Sequence, residues 1–213
     1  MKNLFVGGSS EIAIALSKIL KNSCNLGRKK FDFYEKNFIL KNYSEKEVKK
    51  LFKKIKKYKF DNVLIFNGIF DTSFLSNFKN TEFNKIININ LKLPLMIAKF
   101  CILEKIINKN GGIYFISSIS ADKPEVGNAI YSISKNALNF ASKILHIEQK
   151  KRFLRFNTIS LGLLNNKMGN NLIEKIPLVK RSKINILNNN KVSIRLKKTL
   201  YNRKINGKNI VIK

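Results

Sequence analysis

Apolar strand-length runs alternating with helix-length amphipathic segments predict an α/β fold for this 213-residue chain, a doubly wound parallel sheet in one domain spanning residues 1–213. Three observations carry that reading. A Gly-Gly-Ser-Ser turn at residues 7–10 follows the first strand pattern and opens a helix pattern. Short apolar strand runs recur at 63–66, 113–116 and 156–159, with helical stretches between them. The polar residues that interrupt the pattern sit in loops that follow strands, where parallel sheets hold their sites.

Taken in order, residues 2–6 alternate into the turn, and Ile12, Ile14, Ala15, Leu16, Ile19 and Leu20 continue as a largely apolar helix. Ser44 is read as the N-cap of an amphipathic helix with Val48, Leu51, Phe52 and Ile55 at i, i+3, i+4 and i+7, and its many lysines form a solvated face. The run 63–66 reads as a buried strand. A long helix covers roughly 83–107, broken or shifted near Pro94, and Gly111 and Gly112 punctuate the chain before the strand at 113–116. A second long helix covers 131–149, a strand at 156–159 ends before Gly162, and 209–212 forms a last strand. Strands two and three are the difficulty. Residues 33–38 leave no room for a helix, whereas parallel neighbours need a crossover of about a dozen residues. Either strand two lies earlier and is poorly formed, or this edge of the sheet is shortened and remodelled.

The 44% apolar content, with 16 Phe, belongs to a folded globular chain. No run of about 18 uninterrupted apolar residues marks a membrane span, and the start of the chain lacks a signal-peptide layout, so the cytoplasm is the expected compartment and no membrane partner is expected. Cys24 and Cys101 have no CxxC companion and read as buried, idle thiols. The net charge of +29 is the electrostatic footprint of a nucleic-acid binder, but 36 of the 42 basic residues are Lys and only 6 are Arg, the residue whose planar fork reads phosphates and bases. An excess of Lys, Asn and Ile follows from A/T-rich codons. No specific nucleic-acid partner is expected, although the charge favours anionic cofactors and salt-sensitive sticking to polyanions.

The turn offers backbone N–H groups at a helix amino terminus, which suits a pyrophosphate; alone the signal is weak, because only Gly7 and Gly8 are glycines. Tyr131 and Lys135 are four residues apart, which stacks phenol and ammonium on one helix face. A nearby cation is expected to lower the tyrosine pKa from near 10 and ready it for proton transfer. Ser118, thirteen positions before Tyr131, ends its own strand, where a hydroxyl can orient a substrate oxygen.

Together these residues resemble the short-chain dehydrogenase/reductase family. Gly7-Gly8-Ser9-Ser10-Glu11-Ile12-Ala13 stands at the family's T-G-x-x-x-G-I-G turn. Phe66-Asn67-Gly68-Ile69 resembles its N-N-A-G segment, and Asn88-Ile89-Asn90-Leu91 its helix motif. Ser118 with Tyr131-x-x-x-Lys135 has the family's spacing, the stretch from Phe156 to Gly162 is similar to R-x-N-x-I-x-P-G, and Ile205-Asn206-Gly207-Lys208-Asn209-Ile210 to T-G-x-x-I. The resemblance implies a Rossmann-like domain that binds NAD or NADP and interconverts a carbonyl and an alcohol by hydride transfer. Tyr131 would be the general acid/base and Ser118 would steady the substrate oxygen. Lys135 would bind the nicotinamide ribose and pass protons through a water supported by Asn90. Gly7, Ser9, Ser10, Ile12, Asn67, Gly68, Tyr131, Lys135 and Gly162 would line the cofactor site. No metal is required, and His146 reads as an incidental helix residue.

The resemblance further implies a homo-oligomer, a dimer or tetramer, built on the two long helices with Ala98, Ala137 and Ala141 at the contact, and a small or acyl-carrier-linked substrate, as in a 3-oxoacyl-carrier-protein reductase, covered by residues 163–190. The sequence also departs from the pattern. Glu11 and Ala13 replace glycines, and Leu161 replaces proline. At the shortened edge Arg28, Lys29 and Lys30 favour the 2′-phosphate of NADP, while Asp32 or Glu35 could bind the free 2′-hydroxyl of NAD. These departures sustain one alternative, a degenerate family member that binds nucleotide weakly and acts as a regulatory or scaffold subunit.

Overall fold

In the computed structural model, which describes residues 1–123, 125–174 and 184–213, seven strands form one sheet: β1 (Asn3–Val6), β2 (Ser23–Gly27), β3 (Lys36–Ile39), β4 (Phe60–Ile65), β5 (Ile107–Ser118), β6 (Arg155–Leu161) and β7 (Asn209–Ile212). Their order is β3-β2-β1-β4-β5-β6-β7, and every neighbouring pair runs parallel. The carboxyl ends of β1, β4, β5 and β6 therefore share one edge, and the loops that leave them meet there.

Alternate side chains along each strand feed two cores. Leu4, Val6, Val63, Ile65, Ile113 and Phe115 face one side, covered by α2 (Glu45–Ile55), α4 (Leu93–Leu103) and α5 (Ala129–Glu148). Phe5, Leu64, Tyr114 and Ile159 face the other, covered by α1 (Glu11–Ile19) and α7 (Asn189–Tyr201). With both faces covered, the strands read as continuous apolar runs. Helix α2 matches its sequence pattern: Val48, Phe52 and Ile55 are buried, Ser44 accepts from the Glu47 amide at 3.4 Å, and the lysines lie outside.

One expectation is refined and three are corrected. The long helix breaks before Pro94: α3 (Asn80–Ile87) passes through a π-turn at Asn88–Lys92 into α4, with the proline in the first turn, where its missing N–H is harmless. It ends at Leu103, since Ile107 already pairs with Phe60. The whole stretch Asn80–Leu103 is long and apolar enough, by length and composition, to cross a membrane, but Leu93, Ile97, Phe100 and Cys101 pack into the sheet core. Gly111 and Gly112 do not interrupt the chain; they lie inside β5, where a Cβ at Gly111 would meet the Asp61 carbonyl at 2.8 Å and one at Gly112 the Tyr114 ring at 2.8 Å. Finally, β2 does lie earlier than the 33–38 run, yet it is well formed, with all five residues buried and four of them paired on each side.

The shortened edge itself is present. Eight residues, 28–35, connect parallel β2 and β3 without a helix. Side chains hold this crossover: Asn25 Nδ2 donates to the Lys29 carbonyl and to Asn37 Oδ1, both at 2.9 Å, and the buried Tyr34 hydroxyl donates to the Gly8 carbonyl at 2.8 Å.

Candidate active site

Strand β1 ends in the turn at Gly7 (φ +78°), and Ser10 caps α1, so the first helical amides face the carboxyl edge of the sheet. Strand β5 ends at Ser118, and Asn128 precedes α5, which carries Tyr131 and Lys135 one turn apart. A crevice of about 970 Å³ opens between these elements, and Ser10, Ile12, Gly68, Ser118, Tyr131, Lys135 and Gly162 all line it.

Within it, the Ser118 hydroxyl donates to Ser120 Oγ at 3.3 Å and accepts from the Ser120 amide at 3.2 Å. Tyr131 is 9% exposed, and the Phe70 ring packs edge-on against it at 4.8 Å. Burial raises the phenol pKa above its usual value; a hydrogen bond with Ser118 pulls it down, and the charge of Glu125 pushes it up again. Lys135, 4% exposed, donates to the Ile116 carbonyl at 3.0 Å, and burial lowers its pKa to about 8. The expected lowering of the tyrosine by the lysine is therefore corrected: the ammonium lies 5.8 Å from the Tyr131 ring centroid, is itself desolvated, and is engaged by backbone. The phenol stays protonated at neutral pH.

Gly7, Ser9, Asn67 and Asn90 do not line the crevice. Ser9 is exposed. Gly7 sits behind the wall, where a Cβ would meet the Asn67 side chain at 3.2 Å. Asn90, fully buried in the π-turn, accepts from the Ile69 amide at 2.8 Å and donates to the Ile69 carbonyl at 2.9 Å and to Ser134 Oγ at 3.1 Å. Its amide fixes the loop beyond Gly68 and has no donor left for a water.

Sequence reasoning missed Phe70, Ser120, Glu125, Asn128 and Ser134. The last is buried inside the Tyr131-x-x-x-Lys135 stretch and was legible as its inward-facing i+3 position; the others lie in loops or, for Ser120, a single 3-10 turn, too short for periodicity. The 163–190 segment contributes on both sides of residues 175–183, which lie outside the described residues: Leu163, Leu164, Met168, Leu172 and Leu187 reach the crevice, Met168 and Leu172 from α6 (Lys167–Glu174). At the shortened edge Glu35 pairs with Lys2 at 3.2 Å, at the amino ends of the strands and away from the crevice, and Asp32 pairs with Lys30 at 3.6 Å in solvent. Arg28 follows β2 directly, its guanidinium 5.8 Å from the Tyr43 ring.

The residues present fit a nicotinamide dinucleotide. The crevice runs from Ser10 and Ile12 at the start of α1, where helix-terminal amides suit phosphates, to the phenol of Tyr131 and the ammonium of Lys135. The profile of the short chain dehydrogenase family matches residues 13–177. The chain belongs to the short chain dehydrogenase family. It is an NAD(P)-dependent oxidoreductase with a Rossmann-like fold, and the match begins just after the altered glycine turn. A 3-oxoacyl-[acyl-carrier-protein] reductase of Rickettsia conorii is 29% identical over 191 residues, which cover 83% of this chain and 71% of that protein. One from Buchnera aphidicola is 34% identical over 115 residues, covering 54% of this chain and 47% of that protein. Among solved structures, aldohexose dehydrogenase from Thermoplasma acidophilum superposes with a TM-score of 0.85 at 18% identity, covering 99% of this chain and 92% of that one. ElxO with NADP bound gives 0.84 at 22%, covering 99% and 96%.

Proposed function

We propose that this oxidoreductase reduces the carbonyl of an acyl substrate to an alcohol. The observation that carries the reading is the convergence of Ser118, Tyr131 and Lys135 on one crevice. When bound, a reduced nicotinamide supplies the hydride for the carbonyl carbon. Tyr131 donates the proton to the oxygen, and its burial-raised pKa supports that role, because an acid must hold its proton at working pH. Ser118 orients the same oxygen. Lys135, kept ionisable near neutrality, binds the ribose and returns a proton to the phenol. Asn90 holds Ile69 and the adjoining loop at Gly68, so its contribution to proton return runs through the backbone of its π-turn. Gly7, Ser9, Ser10, Ile12, Asn67, Gly68 and Gly162 shape the cofactor site, the first three by presenting the turn to the pyrophosphate.

The acyl character rests on two supports. Phe70, Val126, Leu163, Met168, Leu172 and Leu187 give the crevice an apolar flank, and the Rickettsia and Buchnera relatives are named as reductases of 3-oxoacyl groups on acyl carrier protein. We assign NADP as the cofactor, because Arg28 and Lys29 remain at the carboxyl end of β2 while Glu35 and Asp32 are paired elsewhere. We further propose a homo-oligomer through α5, where Ile133, Phe140, Ile144 and Ile147 are exposed along one face with Ala137 and Ala141 between them. Ala98 takes no part, being 1% exposed in the core. Free, buried Cys24 and Cys101 support a reducing compartment, the cytoplasm. No observation favours the regulatory or scaffold alternative.

The test is NADPH oxidation with an acetoacetyl thioester. Turnover that disappears in Tyr131→Phe supports the reading; absence of NADPH or NADH binding at millimolar concentration in low salt defeats it.

A further inference from the structure

Helix α6 buries one residue, Gly169, so apolar packing does little to fix it. Polar contacts hold its start. Asn166 Oδ1 accepts from the Gly169 amide at 2.8 Å, and the Lys167 amide donates to Glu11 Oε1 at 2.9 Å. The neighbouring ties, from the Asn165 amide to the Leu187 carbonyl at 2.9 Å and from Asn189 Nδ2 to the Asn165 carbonyl at 2.8 Å, run to the chain around 187–189 and not to α1. Glu11 is the first residue of α1, whose start carries Ser10 and Ile12 into the crevice. Its carboxylate thus lies between the amino termini of two helices, and the partial positive charge of each favours it there. On the far side, α6 brings Met168 and Leu172 to the outer opening, which they line together with Phe70, the ring packed edge-on against Tyr131.

We propose that Glu11 is a positioning residue, a latch that holds α6 over the catalytic crevice and ties it to the turn at the start of α1. The glutamate that departs from the small residue expected at this turn then serves the substrate side of the site. Glycine there has no side chain to reach α6, and the shorter aspartate falls short by one methylene.

Hydrogen exchange on the protein without cofactor reads the latch directly. Glu11→Ala should speed exchange across Lys167–Glu174 about fivefold or more, while protection elsewhere and Tm stay those of the parent. Glu11→Gln keeps an acceptor oxygen and should restore most of the protection. Unchanged exchange in Glu11→Ala, or acceleration spread over the whole chain, overturns the proposal. A second arm rests on the reductase reading: Glu11→Ala should raise KM for the carbonyl substrate about fivefold with kcat within about twofold, and should not weaken binding of reduced cofactor. An unchanged KM despite faster exchange overturns the placement of α6 over the site. Absence of turnover in the parent defeats the reductase reading alone, and the exchange result still decides the latch.

Discussion

A Cβ at Gly68 would lie 3.0 Å from the Lys135 ammonium, which on its other side donates to the Ile116 carbonyl at 3.0 Å. The backbone leaves a slot for a buried cation, and the slot has an energetic signature. Burial lowers the Lys135 pKa from 10.5 to about 8. A folded-state pKa below the unfolded one means that the charged form penalises folding. The penalty is complete below pH 8, shrinks as pH rises through the folded value, and vanishes above the unfolded value.

Replacing that cation with an apolar side chain of similar length should therefore stabilise the protein where the penalty applies. Lys135→Met should unfold at higher denaturant than the parent near neutral pH, by about 1–3 kcal/mol, and the difference should close as pH rises from about 8 toward 10.5. The same variant should lose turnover. Urea titrations across that pH range check the sign; a variant less stable than the parent at neutral pH rules out a penalised ammonium.

Tyr131→Phe keeps the ring against Phe70 and removes the transferable proton. Its kcat should fall by at least about 100-fold, with the Kd for reduced cofactor little changed. Ser118→Ala should cost less, because it loses an orienting group and not the proton. Turnover in Tyr131→Phe within about tenfold of the parent, about 1.4 kcal/mol of barrier, would show that the phenol is not the acid.

Asn90→Ala strands the Ile69 amide and carbonyl and removes the bond that Ser134 Oγ accepts. Leaving these half-buried backbone groups unpaired should destabilise the fold by about 1–2 kcal/mol, visible as a lower urea midpoint before any cofactor is added. A midpoint equal to that of the parent means that water repairs the loop.

Arg28→Ala should raise the Kd for NADPH about tenfold and leave that for NADH unchanged, since a guanidinium contributes to a 2′-phosphate and not to a hydroxyl. Fluorescence titration with both cofactors separates the cases; equal loss for both places Arg28 outside the selector.

On α5, Phe140→Lys should turn an oligomeric mass in light scattering into a monomeric one at physiological salt. Phe140 is 63% exposed, so the folded protomer should keep the stability of an uncomplexed chain. A monomeric parent defeats the interface.

What the sequence revealed depended on periodicity and spacing. The parallel sheet, α2 with its Ser44 cap, and the Ser118, Tyr131 and Lys135 set follow from local patterns that the structure preserves. Pro94 signals the break or shift near it but not its form, because the π-turn at Asn88–Lys92 depends on Asn90 bonding to a loop 21 positions away. Gly111 and Gly112 looked like a turn because their purpose, close approach of Asp61 and Tyr114, is a tertiary contact. β2 was obscured by its polar residues, Ser23 and Asn25, whose partners are a backbone carbonyl at Leu20 and the crossover. Spacing cannot report burial either, so the sequence suggested an acidified Tyr131 where the folded protein raises its pKa.

The helix-free crossover makes the outer edge of the sheet an exchangeable part. Residues 28–35 are anchored by Asn25, Asn37 and Tyr34, and two strands, β1 and β4, stand between β2 and the strand that ends at Ser118. Loops of different length and charge can be spliced between Gly27 and Lys36 to retune the nucleotide end, provided a phenol still meets the Gly8 carbonyl, without moving the residues that handle the substrate. On the proposed assignment of cofactor and catalytic residues, the chain would carry its selector and its chemistry on separately editable stretches.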